Sequence, residues 1–236
     1  MKKWWRVWAK ALGEKSGKSN KEADTIAKIR TFIFIQLVVT NCFIIAGNIR
    51  HWNDPAPIII MNVFVTEPCP YESARVLPDK HIVKMPLETC QMLSMVYSKW
   101  YFDWGQLTKR DGTPYKTEKG AFRGHPCTAW AAENINNTAW LIAHGFGLSN
   151  EYTERYGKTH TCEEPLLEAE AIFYEKTGQL PNDCYHKATQ FPRAMPEEWK
   201  FDDSIDTFVA YRRYIASKPW VATNYLRIPD RKPEWL

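Results

Sequence analysis

The chain has 236 residues, 44% of them apolar and 25% charged, enough for one domain with its own core plus an appendage. Its net charge of +4 is unevenly spread: residues 1–60 hold ten Lys/Arg against four acids, leaving residues 61–236 at −2. That excludes gripping a nucleic acid by bulk charge, and six scattered cysteines without a CxxC pair exclude a disulfide framework and suit a reducing compartment.

Near the amino terminus, Trp4, Trp5, Trp8 and Leu12 share a helical face while Lys2, Arg6 and Lys10 lie off it, the pattern of a helix resting on an anionic membrane. The polar stretch GEKSGKSNKEAD reads as a linker. Residues 31–49 then carry no charge. At ~1.5 Å per residue they are long enough to cross a hydrocarbon core of ~30 Å. Gln36, Asn41 and Asn48 weaken the span, but the basic flank before it and His51–Trp52 after it favour a membrane helix over a buried core helix. A cleavable signal peptide fits poorly with so long a preceding segment. The positive-inside rule keeps residues 1–30 in the cytoplasm and exports residues 53–236, in conflict with a reducing domain. Initiation at Met61 resolves the conflict, because MNVFVTEPCP reads like an independent amino terminus.

Asn62 to Thr66 form a short apolar run, followed by the turn EPCP. Residues 71–98 have helical spacing, broken at Pro78–Asp79, with Pro86 as a kink or a restart. Residues 99–124 form an aromatic loop with six bases against three acids, the one locally positive segment. A long helix is expected from Pro126 to about His144, a break at Gly145-Phe146-Gly147, and a further helix to Tyr156 stopped by Gly157. PLLEAEAIFYEKTG reads as one more helix, and Ser204 to Ser217 as the last before a Pro/Trp-rich tail. Strands do not alternate with helices. The expected fold is mostly α: a compact, monomeric helical domain preceded by one transmembrane helix.

Three clusters carry chemical potential. His81, Lys84, Glu88 and Gln91 line one side of the first domain helix, with Ile82, Val83, Leu87 and Cys90 on another. Such a face is either solvated, with a Lys84–Glu88 ion pair, or a carboxylate held beside an amine for acid/base or imine chemistry. Trp130, Asn134, Asn137 and Leu141, followed by Glu151, Tyr152, Arg155 and Tyr156, could hold a base by stacking and edge hydrogen bonds, or simply pack. His160, Cys162, Cys184 and His186 are soft ligands at uncommon spacings, so no metal is assigned. There is no glycine-rich phosphate loop, HExxH or GxSxG, and no cofactor is implied.

The segments MNVFVTEPCPYESARVLPDKHIVKMPLETCQMLS, HPCTAWAAENINNTAWLIAHGFGLSNEYTERYGKTH and FPRAMPEEWKFDDSIDTFVAYRRYIASKPW resemble a widespread group of bacteriophage proteins, and residues 1–52 resemble a small phage membrane protein. More faintly, the domain resembles the phage pyrimidine-dimer DNA glycosylases of the endonuclease V type, which are compact helical enzymes. Asp79, His81 and Glu88 match that family's D-x-H and the Glu seven residues beyond it. The resemblance implies that a free amine attacks the sugar C1′, that the base leaves, and that an imine permits strand nicking, with Glu88 as the catalytic carboxylate. It implies that His81 and the basic loop lie near the DNA. Asp79, Gln91, Arg123, His125, Trp130, Asn134, Asn137 and Arg155 are the candidate DNA or substrate contacts, and His81, Lys84 and Met61 stand with Glu88 as candidate catalytic residues. The family's amine is an exposed α-amine. Here that is Met61 in a product begun there, in the host cytoplasm; otherwise Lys84 could supply it, a substitution that the resemblance does not license. Two other readings remain: an enzyme acting on a nucleotide, base or modified DNA, and a non-catalytic membrane-anchored binding protein.

Overall fold

A computed structural model describes residue 8 and residues 20–50, 62–118 and 122–236, with the side chains of the first helix described from 24 to 43. The Trp4, Trp5 and Leu12 face, the His51–Trp52 anchor and Met61 lie outside the described residues. The chain divides into two units, Met1–Ile59 and Ile60–Leu236.

In the first unit, α1 (Asn20–Arg50) contains a stretch, Asp24–Phe43, with mean hydropathy 1.5, long and apolar enough to cross a membrane. It starts well before the expected Thr31, because nothing in the preceding polar residues breaks a helix. Phe32, Leu37 and Phe43 are exposed on it. The Trp8 indole donates to Thr31 Oγ1 at 3.1 Å.

The second unit is helical, without strands among the described residues. Its elements are α2 (Pro70–Arg75), α3 (Asp79–Tyr97), α4 (Pro126–Glu133), α5 (Ile135–Tyr156), α6 (Glu163–Thr177), α7 (Pro181–Cys184), α8 (Glu197–Lys200) and α9 (Thr207–Ala216), with short 3-10 turns in the tail. α5 packs against α2, α3 and α6 and forms the axis of the unit.

Two expected boundaries moved, each for a local reason. The helix from Pro126 ends at Asn134, whose extended backbone breaks it and whose side chain accepts from the N–H groups of Asn136 and Asn137, both at 3.0 Å, to start α5. Gly145 and Gly147 do not break α5. A Cβ at Gly145 would lie 2.6 Å from Leu166 Cδ2, and one at Gly147 3.0 Å from the Ala74 Cβ, so these glycines let α6 and α2 approach closely. Gly157, at φ +65°, ends α5 as the sequence implies. Pro86 lies inside a continuous α3.

Residues 62–66 form no regular secondary structure. Their polar backbone groups are met by side chains instead: Asn62 Oδ1 accepts from the Phe64 N–H at 3.2 Å, Ser73 Oγ accepts from the Thr66 N–H at 3.0 Å, and Arg212 Nε donates to the Thr66 carbonyl at 3.1 Å.

Arg155, whose side chain is fully buried, joins α5 to the start of α3. It donates to the carbonyls of Arg75 and Leu77 at 2.7 and 2.8 Å, to Asp79 Oδ1 at 3.1 Å and to Glu151 Oε2. Asp79 Oδ2 in turn accepts from the backbone N–H groups of Leu226 and Arg227, and Asn224 receives the N–H groups of Asp79 and Lys80, so the tail caps α3. Replacing Arg155 by Met leaves buried Asp79 and Glu151 short of their partner. We expect a loss of about 3–5 kcal/mol in denaturant unfolding.

His144 is fully buried against Trp140, stacked at 4.8 Å, with neither ring nitrogen partnered. Burial lowers its pKa from 6.5 to about 3, so the unfolded chain binds a proton that the folded one refuses, and stability falls as pH drops from about 6.5 towards 3. His144→Phe should flatten that acid limb, read as Tm against pH.

Candidate functional site

The polar side of α3 is only partly solvated. Glu88 is 3% exposed and His81 9%, while Val83 and Leu87 are 45% and 43% exposed, a mixture that spacing does not suggest. A helix that buries a carboxylate and an imidazole while exposing two aliphatic residues is arranged against the hydrophobic gradient, which points to function.

Neither Glu88 oxygen meets hydrogen-bond geometry, although Lys84 Nζ is 2.7 Å from Oε1. The pair is lopsided: the lysine side chain is 59% exposed and the glutamate side chain 4%. Burial raises the Glu88 pKa, partly opposed by Lys84 and by the backbone N–H of Asn62. Asn62 therefore lies against the carboxylate and is pinned there, its carboxamide donating to the Ala194 carbonyl at 2.5 Å. Cys127 lies within electrostatic reach of Glu88, and burial pushes its pKa up to about 12.

Above this, an aromatic cluster forms. Phe64 takes φ +42°, an unusual value for an aromatic residue, and stacks on His81 at 4.2 Å and on Tyr214 at 5.9 Å; His81 meets Trp220 edge-on at 5.7 Å. Burial, Lys218 and Lys84 together lower the His81 pKa to about 3, so the ring is neutral at physiological pH and acts here as an aromatic plate. Lys80 lies over Trp220 at 4.6 Å and Lys218 over Tyr214 at 4.0 Å. Three lysines therefore fringe the aromatic cluster and Glu88, a local positive patch on an acidic domain.

Residues 61–164 match the family model described as pyrimidine dimer DNA glycosylase. The match takes in His81, Lys84 and Glu88 and stops short of Lys218 and Trp220. The comparisons with curated proteins and with solved structures found no match.

Most of the other expected contact residues are committed elsewhere. Asp79 and Arg155 form the buried clamp at the start of α3. Asn134 caps α5, and Asn137, fully buried, bonds the Trp130 carbonyl and Thr189. Trp130 is core, against Trp140 and Phe191. Asn137 and Trp130 are buried, and Asn134 is half-buried. His125 caps α4, its Nδ1 accepting from the Cys127 N–H at 3.2 Å, and Arg123 lies over Trp100 at 4.1 Å. Gln91 is half-buried.

Two cations of the basic loop are paired, Lys99 with Glu118 at 2.6 Å inside the loop and Arg110 with Glu164 of α6 at 3.4 Å. Its buried Tyr115 interacts with Cys90 and Cys162, and Cys90 lies two residues past Glu88, on a different face of α3. His160 Nδ1 accepts from the Cys162 N–H and its Nε2 donates to the Val83 carbonyl, while the Cys184 thiol donates to Leu180, so these side chains have separate partners.

Spacing could not find Phe64, Lys218 and Tyr214, which gather around His81 from distant parts of the chain. The Lys218-Pro219-Trp220 string was the one available signal.

A buried, incompletely bonded carboxylate is a stability cost. Because its raised pKa favours the protonated folded form, its contribution is most favourable in acid and is lost as pH rises through the raised value. Glu88→Gln should therefore stabilise the fold by on the order of 1 kcal/mol near pH 7.5, and by less towards its ordinary pKa of 4.5, in paired thermal melts.

Proposed function

We propose that the domain is a DNA glycosylase with lyase activity, acting on damaged or modified pyrimidines through an imine, with Glu88 as the essential carboxylate. The observation that carries this is Glu88 itself, buried, raised in pKa, in contact with an exposed amine, and inside the segment that matches the glycosylase family. A carboxylate in this state takes a proton from an ammonium readily and stabilises positive charge developing on a sugar. Lys80 and Lys218 supply phosphate contacts around it, and the aromatic cluster supplies a surface against which a displaced nucleotide packs. α1, with its exposed apolar side chains, supports attachment of the chain to a membrane.

An enzyme acting on a nucleotide or free base is the second reading. A cavity of about 760 Å³, walled by Trp140, Tyr185, Phe191 and Phe208 with Arg193 and Asp206, favours it by its size and its aromatic lining.

The test is incubation of the full chain with duplex DNA carrying a thymine dimer or an abasic site. We expect nicking at the lesion, abolished in Glu88→Gln although that variant remains folded. Lys80→Ala and Lys218→Ala should each weaken duplex binding irrespective of sequence and flatten the salt dependence by about one unit of slope. A folded chain that nicks neither substrate would sink the reading and turn attention to the cavity.

A further inference from the structure

We propose that Lys84 is the amine that forms the imine, with Glu88 acting through it. This rests on the lyase reading and assigns the one participant that reading leaves open. Both Glu88 oxygens are sealed from solvent, so the carboxylate does not itself reach a substrate in this structure. Its partner does: the Lys84 side chain is 59% exposed and places Nζ 2.7 Å from Oε1. One helical turn separates the two residues, and α3 is continuous between them, so the amine is held on a rigid element.

The other nitrogen recorded against Glu88 is the backbone N–H of Asn62. In this chain it is a peptide nitrogen, whose lone pair is delocalised into the carbonyl and does not attack carbon. Among the described residues, Lys84 thus supplies the amine in contact with the carboxylate. The surroundings suit the role: Lys80 and Lys218 bring phosphates in, and the neutral His81 adds no charge to compete with the ammonium.

The step balances on an abasic sugar in its open aldehyde form. The Lys84 ammonium passes a proton to the Glu88 carboxylate, and the freed lone pair forms a bond to C1′. The carbonyl π electrons move to oxygen, and a proton passes from nitrogen to that oxygen. The proton held by Glu88 returns through the Lys84 nitrogen to the resulting hydroxyl, which departs as water, leaving a protonated imine and a carboxylate. With an intact nucleotide the same nitrogen displaces the base, which leaves with the pair of the glycosidic bond and takes up a proton from that nitrogen; the C1′–O4′ bond then opens, O4′ keeping the pair and receiving the proton held by Glu88 through the nitrogen, to leave the same protonated imine.

The experiment is borohydride reduction of the full chain in detergent with abasic duplex DNA, followed by proteolysis and mass spectrometry to locate the modified residue. The expected result is a secondary amine on Lys84. Trapping should be lost in Lys84→Arg, which keeps the charge, and in Lys84→Gln, while Lys84→Arg keeps duplex binding and Tm. A modified α-amine at Met61 or Asn62, or another lysine, with Lys84→Arg still trapping, overturns the assignment and leaves the lyase reading standing. If the folded wild-type chain gives no adduct at all, both fall together.

Discussion

The domain depends on one buried cation. Arg155 gathers two carbonyls and two carboxylates from α2, α3 and α5 into a single plane of hydrogen bonds, and Asp79 extends that plane into the carboxyl-terminal tail. Arg231 joins from the tail by donating to Glu151 and Glu154. Burying such charges is costly, and the cost is met only when every partner is in place. The clamp therefore couples the start of α3 to the docking of the tail through Asp79. Trp220 and Lys218, which lie next to His81, are carried by the same tail.

On that frame the Glu88 site is built as an opposition between acid and amine. The glutamate is inside, short of hydrogen bonds, and the lysine outside. Uniform exposure would leave an ordinary surface ion pair of little energetic consequence. Withdrawing one member from water makes the proton shared between them sensitive to what approaches the other, which is useful for moving a proton during bond formation. The folded state gives up some stability to hold it, a trade common at reacting sites. Phe64 repeats the theme, with an aromatic side chain on a backbone conformation that costs about 1–3 kcal/mol.

Much of this was legible in the sequence. Helical spacing, Pro126 at a helix start and Gly157 at a helix end gave the α class and several boundaries, and the Asp79-His81-Glu88 spacing singled out the site that the family match also covers. What was hidden depended on tertiary context. Periodicity marks His81 and Glu88 as a polar face, but it cannot say that residues 62–66 and the tail fold over that face and bury it. Asn134 and Asn137 look equally suited to hold a base or to cap and brace helices. Only their partners, two backbone N–H groups for one and Thr189 for the other, decide it. Gly145 and Gly147 read as a break, because a glycine needed for close packing looks the same in sequence as one needed for a turn.

The anchorage of Asn62 has a mechanical meaning as well. Its side chain grips Ala194 and the neighbouring Phe64 N–H, and Thr66 is gripped by Ser73 and Arg212 a few residues on. A cable clamped at two points where it enters a housing transmits no pull to what lies inside. Tugging on the chain upstream of residue 62 would load those hydrogen bonds in shear before it displaced Glu88, giving the carboxylate a form of strain relief.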